Sequence, residues 1–183
     1  NKKIENRAFK KIEGVNNLYE NLDVLPRSWV VGDINSVKSQ RSSLLSIMDM
    51  SFKPNETATV IDYKGPDLID YKEGNSRIIK TSPNEIIINC KITGGGLLVL
   101  SEVFYEPGWK CKIDGKDSKI YQTNHVLRSV YVPHGEHEVV FYYDHSNWQT
   151  ARLTSRLSFF LATFFCLFLF YNERRSILKL KKS

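Results

Sequence analysis

Three aromatic residues surround a glycine at one point in the sequence, where Phe104, Tyr105 and Trp109 lie beside Gly108. Aromatic rings can stack on the apolar C–H face of a sugar, because the rings are themselves amphipathic. A tryptophan in the same pattern can instead fill the core of a β-sandwich, and we favour this interpretation for Trp109. The cluster therefore indicates either a carbohydrate-binding surface or a structural core plug.

Charged residues lie close to this aromatic cluster. Arg128 falls in an apolar, strand-like segment, where its guanidinium could bind a phosphate or a carboxylate through two parallel hydrogen bonds. We favour the alternative, a structural salt bridge from Arg128 to Glu102 or Asp114. A glycoside hydrolase built on Glu102 and Asp114 is disfavoured, because Asp114 is explained as the first residue of a glycine turn. We predict no catalytic residue, and a substrate-binding set of Tyr105, Trp109, Arg128 and Glu102.

Histidine and cysteine spacing does not predict a metal or redox centre. The four histidines are spread over 125–145 with no third ligand at short spacing, which disfavours a metal site. Cys90 and Cys111 lack the repeated spacing of a disulfide framework, and Cys166 lies in an apolar run. The glycines at 94–96 precede a strand and carry no phosphate-loop motif. We therefore predict no metal and no cofactor.

The positive charge of the chain is confined to its C-terminal end. Of its 183 residues, 26 are basic and 20 are acidic, for a net charge of +6. Seven basic residues and one acidic residue follow position 151, so the remaining 19 basic and 19 acidic residues cancel. An excess of charge beside one apolar segment is typical of a membrane boundary and not of a nucleic-acid-binding face. We therefore expect a lipid bilayer, and no nucleic acid, as a partner.

The apolar segment is 157–171, which contains no charge, proline or glycine. As a helix it measures about 22 Å, and extension back to Leu153 gives about 28 Å, close to the ~30 Å hydrocarbon core of a bilayer. Apolar residues run around the whole helix, which disfavours a buried helix of a soluble domain. We predict a transmembrane helix over 153–172.

Basic residues on the two sides of this helix predict its orientation. Five follow it within 172–183, whereas Arg152 and Arg156 lie at its start and oppose the assignment. The positive-inside rule places the basic tail, 173–183, in the cytoplasm and residues 1–150 outside the cell.

The remainder of the chain alternates short apolar or β-branched runs with turn residues. The predicted strands are 28–31, 57–61, 77–81, 85–92, 97–101, 109–113, 116–121, 126–132 and 138–143. Near-helical spacing of apolar residues predicts a short helix near 37–50, and Asp114–Gly115 is typical of a two-residue hairpin turn. Short strands separated by about 8–12 residues predict a mainly β domain, an antiparallel β-sandwich or jelly roll.

An ordered series of motifs occurs between residues 98 and 137. The series begins with Leu-Val-Leu-Ser-Glu-Val-Phe-Tyr-Glu-Pro-Gly-Trp-Lys at 98–110 and Ile-Asp-Gly-Lys at 113–116. It continues with Ile-Tyr at 120–121, Asn-His-Val-Leu-Arg at 124–128, Val-Pro at 132–133, Gly135 and His137. This order closely resembles the C-terminal extracytoplasmic region of the YfhO family of bacterial polytopic membrane proteins. Segments 18–21 and 25–29 also resemble the family's entry into this region, so the resemblance covers 18–172.

The resemblance implies a function larger than this chain. The family looks like multi-span glycosyltransferases that use lipid-phosphosugars, with the catalytic acidic residue on an extracytoplasmic loop near the N-terminal spans. We find no such loop in this sequence, so we expect a piece of a longer protein of the bacterial cell membrane. Residues 1–150 would form its accessory, non-catalytic outer domain and 153–172 its last span.

The expected partners are the bilayer, the N-terminal membrane part of the same protein, and a glycan or lipid-linked sugar. An alternative remains open, in which the chain is a membrane-anchored structural or protein-interaction β-domain that binds no sugar.

Overall fold

The computed structural model describes residues 9–68 and 70–180. The chain divides into two compact units, Asn1–Tyr143 and Asp144–Ser183. The elements of the first unit are β1 (Phe9–Lys11), β2 (Tyr19–Asn21), β3 (Ser28–Val31), β4 (Asp33–Val37), α1 (Gln40–Met48), β5 (Thr57–Ile61), β6 (Glu73–Ser82), β7 (Glu85–Thr93), β8 (Gly96–Val103), β9 (Trp109–Ile113), β10 (Lys116–Ser118), β11 (Tyr121–Thr123), β12 (Leu127–Val132) and β13 (Gly135–Tyr143). The second unit contains helix α2 (Ser146–Leu180).

Two large sheets make up most of the first unit. One has the strand order β10-β9-β13-β7-β6, and the other has the order β3-β8-β12-β11-β5-β4. Nearly all neighbouring strands are antiparallel, and β7 pairs with β13 from Ile92 opposite Gly135 to Glu85 opposite Tyr142. The predicted mainly β, antiparallel sandwich is confirmed. The pair β4 and β5 is an exception, because these strands run parallel and are joined through α1.

The main hydrophobic core lies between the two sheets. Its buried members are Val30, Ile86, Ile88, Cys90, Ile92, Leu98, Leu100, Cys111, Val130, Val132, Val139 and Phe141. Strand β13 shows the alternation behind this core. Val139 and Phe141 are fully buried, whereas Val140 and Tyr142 are half-buried on the other face, as the sequence predicts.

Strand β8 is buried on both faces, because its alternate residues enter two different cores. Leu98 and Leu100 face the core between the sheets. Leu97 and Val99 join a second cluster, on which Tyr63 and other partly buried residues pack. A strand with two buried faces has a continuous apolar sequence, so the prediction of an internal strand at 97–101 is confirmed.

The prediction of a single strand over 116–121 is wrong, because this segment belongs to two short strands in different sheets. Residues Lys116–Ser118 form β10 and pair with β9 beyond the Asp114–Gly115 turn, in which both residues have positive φ. Residues Tyr121–Thr123 form β11 and pair with β12 in the other sheet. The chain passes from one sheet to the other between these strands, at Lys119 and Ile120.

Three observed strands, β1, β2 and β4, were not predicted. Every residue of the hairpin β1–β2 is exposed, so no alternation of buried and exposed positions marks it. Strand β4 also shortens the predicted helix of 37–50. Helix α1 begins at Gln40 because the Ser39 side chain caps it, accepting a hydrogen bond from the Ser42 amide at 3.1 Å.

The predicted C-terminal helix that is able to span a membrane is confirmed in α2. Within it, Trp148–Arg174 is long and apolar enough to cross a membrane, and the predicted span 153–172 lies inside this stretch. The hydroxyls of Ser158 and Thr163 donate to backbone carbonyls one turn earlier, at 2.9 and 2.8 Å. Hydroxyls that are satisfied inside their own helix can be accommodated in an apolar surrounding.

Candidate ligand-binding cavity

A cavity of about 200 Å³ opens where β8 ends and β9 begins. Its lining residues are Phe104, Tyr105, Glu106, Trp109, Lys110, Ser118, Lys119, Ile120 and Arg128. Three of the four predicted binding residues, Tyr105, Trp109 and Arg128, therefore meet in one place. The fourth, Glu102, does not line the cavity but forms an ion pair with Arg128.

The connection 104–108 forms one wall of the cavity and is held at both ends. The Phe104 amide donates to the Val126 carbonyl at 2.7 Å, and the Trp109 amide donates to the Tyr105 carbonyl at 3.4 Å. Gly108 is buried, and a Cβ atom at this position would overlap the ring of Tyr143. The glycine of the aromatic cluster is therefore required by close packing.

Arg128 is the buried cation of the cavity. Alternate side chains of a strand point to the same face, and Val130 and Val132 of β12 belong to the core between the sheets. Arg128 lies in the same series and therefore also points between the sheets. The register of β12 shifts at this point, with Leu127 opposite Val103 and Arg128 opposite Leu100. The side chain is only 3% exposed. Its guanidinium carbon lies 4.0 Å from the centre of the Trp109 ring, a cation–π contact.

The hydrogen bonds of Arg128 are incomplete. Among the described residues, its buried Nε and Nη1 atoms have no acceptor. Nη2 lies 3.9 Å from Oε2 of Glu102, which is an ion pair beyond hydrogen-bond length. Burial lowers the pKa of Arg128, and the nearby negative charge of Glu102 opposes this effect. A buried donor without an acceptor costs about 1–3 kcal/mol, so an acceptor that reached this guanidinium would stabilise it.

Glu102 is shared between two arginines. One carboxylate oxygen contacts Arg27, whose side chain is exposed, and the other faces Arg128. Of the two salt bridges weighed from the sequence, the structure contains the one to Glu102.

The two main aromatic residues of the cluster have different surroundings. Trp109 is half-buried, with Arg128 over its ring and Tyr143 edge-on at 5.9 Å. It packs against the main core, which agrees with the favoured core-plug interpretation. Tyr105 is 52% exposed at the rim of the cavity. The exposed aromatic surface that could face a ligand is therefore provided chiefly by Tyr105.

Asp114 forms a separate cluster at the other end of β9. Its carboxylate lies 2.6 Å from Nδ1 of His137 and accepts a hydrogen bond from the Glu138 amide at 2.9 Å. These two hydrogen bonds lower the pKa of Asp114, His137 first. Burial opposes protonation of His137, but its hydrogen bonds to Asp114 and to the His134 carbonyl outweigh burial and raise its pKa.

Glu102 and Asp114 do not face one another. Glu102 reaches Arg128 beside Trp109, at the start of β9, whereas Asp114 follows the end of that strand. The two end residues of the strand are roughly 14 Å apart at about 3.4 Å per residue. A glycoside hydrolase needs its two carboxylates within about 10 Å, so this pair is not arranged for hydrolysis.

Cys90 and Cys111 are buried free thiols, and burial raises the pKa of each to about 12. They pair with residues four positions apart on β13, His137 and Phe141, which separates them beyond disulfide reach. In the parts of the chain that the structure describes, no group of three or more His, Cys, Asp or Glu side chains could hold a metal ion.

Several features of the site were not identified from the sequence. Lys110, Lys119 and Glu106 line the cavity, but exposed charged residues of this kind carry no distinctive pattern. The sequence indicates the two segments that hold Asp114 and His137, the Asp-Gly turn and the Val-Pro-x-Gly-x-His motif. It does not indicate that these two side chains contact one another.

The chain combines two largely antiparallel sheets, an arginine-lined cavity and a helix long and apolar enough to cross a bilayer. This combination is that of a membrane protein with a β-sandwich domain. Residues 69–155 match the family model described as bacterial membrane protein YfhO. The match covers just under half of the chain and includes every residue that lines the cavity. It confirms the family resemblance that the motif order of 98–137 predicts, whereas the predicted resemblance of segments 18–21 and 25–29 lies outside the match. The chain matches no curated protein and no solved structure.

Proposed function

We propose that the chain is an accessory, non-catalytic extracytoplasmic domain with the last membrane span of a polytopic membrane protein, and that it positions a glycan acceptor or a lipid-linked sugar donor. The observation that carries the proposal is the cavity, which is lined by both the exposed ring of Tyr105 and the buried Arg128. An aromatic ring beside a cation suits a ligand that has a sugar face and an anionic group. Glu102 belongs to the proposed binding set as the residue that holds Arg128.

The charges around α2 support an extracytoplasmic location for the β domain. The basic residues after the apolar stretch include Arg174 and Arg175, and they favour a cytoplasmic C-terminus. Residues 1–150 would then lie on the outer face of the bacterial cell membrane. Preceding membrane spans of the same protein would supply the catalytic residue that the family resemblance implies.

An accessory role is supported by the state of the two carboxylates weighed for catalysis. Glu102 is engaged by Arg27 and Arg128, and Asp114 is engaged by His137. The pKa of Asp114 is lowered, whereas a general acid in a glycosidase needs a raised pKa.

The test uses the intact membrane protein and an assay of sugar transfer from a lipid-phosphosugar. Tyr105→Ala should reduce transfer about threefold to tenfold, since one aromatic stacking contact contributes about 0.5–1.5 kcal/mol. The matched control is Tyr19→Ala, which removes an exposed tyrosine of β2 far along the chain. Wild-type transfer by Tyr105→Ala at normal expression would contradict the positioning role.

A structural or protein-interaction domain is the second candidate function. It is favoured by the packing of Trp109 and by exposed apolar side chains near the N-terminus, namely Phe9, Leu18, Leu22 and Val24. This candidate predicts no affinity for sugars. NMR titration of the full chain in detergent micelles with neutral and phosphorylated sugars separates the two functions. Chemical-shift changes at 104–109 support positioning, and their absence with every sugar supports the structural role.

A further inference from the structure

We propose that the cavity at Arg128 binds a tetrahedral oxyanion, a phosphate group attached to a sugar, and that Arg128 is its principal ligand. This inference deepens the proposed function, on which it rests for the molecule that carries the phosphate. Phosphate binding itself is a property of the cavity and can be measured without any transfer assay.

The charges around the cavity favour an anion with more than one negative charge. Arg128, Lys110 and Lys119 line it, and among the lining residues Glu106 is the acidic one. Glu102 stands outside the lining and has a second partner in Arg27. The cations therefore exceed the lining carboxylate by two charges. A phosphate monoester at neutral pH carries about −1.5 to −2, whereas a carboxylate carries one.

The hydrogen-bonding state of Arg128 points to the same ligand. A guanidinium has five N–H donors in a planar fork that matches the oxygens of a phosphate. Nε and Nη1 lack an acceptor among the residues that the structure describes, and Nη2 stands 3.9 Å from Glu102. Because the side chain is 3% exposed, these donors are shielded from bulk water, and a phosphate that reached them would supply hydrogen bonds that water does not.

The guanidinium is also held in place before any ligand arrives. The Trp109 ring lies 4.0 Å from its carbon, and the Phe141 ring lies 5.8 Å away on the core side. A donor group fixed by packing binds with a smaller loss of side-chain entropy. Trp109 is therefore a positioning residue for Arg128, and Tyr105 at the rim remains available to the sugar ring.

The experiment measures binding to the full chain in a non-ionic detergent by ³¹P NMR and calorimetry. The probes are a hexose 1-phosphate, inorganic phosphate, the unphosphorylated hexose, and a short-chain phosphatidic acid dispersed in the micelles. We expect the hexose 1-phosphate to bind most tightly, inorganic phosphate to bind more weakly, and the neutral hexose to bind with at least about tenfold lower affinity. Tighter binding of the lipid phosphate would assign the cavity to a lipid headgroup and overturn the sugar assignment.

Arg128→Met should weaken binding of the hexose 1-phosphate at least about tenfold, because it removes the fork and its charge. Arg128→Lys keeps the charge and should recover only part of the affinity. Lys119→Met should weaken binding about threefold, whereas Lys72→Met, an exposed lysine outside the lining, should leave it unchanged. Circular dichroism confirms that each variant is folded, and Lys119→Met serves as the test should both Arg128 variants fail to fold.

Two further results would overturn the inference. One is the absence of binding of every phosphate probe at concentrations up to about 10 mM. The other is wild-type affinity in folded Arg128→Met or, if neither Arg128 variant folds, in Lys119→Met. If the wild-type chain binds no phosphate probe but sugar transfer by the intact protein still depends on Tyr105, this inference fails and the proposed function stands. If phosphate binding depends on Arg128 but Tyr105→Ala leaves sugar transfer unchanged, the proposed function fails and this inference stands.

Discussion

Glu102 is the residue on which the buried charge of Arg128 depends. Substituting Glu102→Gln keeps the shape of the side chain and removes its charge, so that Arg128 stays buried without a counter-charge. We expect the free energy of unfolding of the full chain to fall by about 2 kcal/mol, less than for a fully buried pair because Glu102 is 30% exposed. Denaturant unfolding in detergent, followed by near-UV circular dichroism, measures the change.

Arg27→Gln is the matched control for this prediction. It removes the other partner of Glu102, whose side chain is 56% exposed. An exposed pair contributes less than about 1 kcal/mol, so the loss should be clearly smaller than for Glu102→Gln. Equal losses in the two variants would show that the contact with Arg128 is not the important one.

His137 makes the stability of the domain depend on pH. Its pKa is raised in the folded state, so its contribution is complete below its ordinary value of 6.5 and is lost as the pH rises through the raised pKa. Asp114 acts in the opposite range, since its lowered pKa gives a contribution that is lost only in acid. Between about pH 6 and about pH 9, the wild type should lose thermal stability relative to His137→Gln. If the melting temperatures of the wild type and of His137→Gln change with pH by the same amount, His137 is not the source of the pH dependence.

The residue types of the candidate site were predictable from the sequence, but their arrangement was not. Trp109 and Arg128 belong to strands of different sheets, β9 and β12, so their 4.0 Å contact is made across the sandwich. No sequence spacing reports such a contact. The unsatisfied donors of Arg128 are likewise a property of the packed structure.

Strand β13 allows a matched test of the sandwich at the scale of one element. Val139→Ala empties space in the core between the sheets, because Val139 is fully buried, and should cost about 2 kcal/mol of unfolding free energy. Val140→Ala makes the same chemical change on the other, half-buried face and should cost less than half as much. Equal costs would contradict the assigned faces of the strand.

The predictability of the elements follows from their side-chain patterns. Strand β5 was predicted with the observed bounds, and β9 likewise, since each is a short run between clear turn residues. The hairpin β1–β2 exposes all its residues and gives no such signal. The division of 116–121 into β10 and β11 depends on which sheet each half joins, and that choice is made by tertiary packing.

For the whole molecule, the charge distribution predicts a defined orientation in the membrane. An epitope tag after the C-terminus should resist external protease in intact spheroplasts and become cleavable once they are permeabilised. The β domain should be cleaved from outside in both conditions. A tag that is digested in intact spheroplasts, while a cytoplasmic marker stays protected, would reverse the proposed orientation.

The walls of the cavity have a consequence for the cohesion of the whole sandwich. Both the connection 104–108 and the crossing at Lys119 and Ile120 carry the chain from one sheet to the other, and both line the same space. A molecule bound there therefore contacts the two sheets through their covalent junctions. A free ligand concentration a hundred times the dissociation constant would raise the unfolding free energy of the domain by about 2.7 kcal/mol. The two sheets would then resist separation as one cooperative unit.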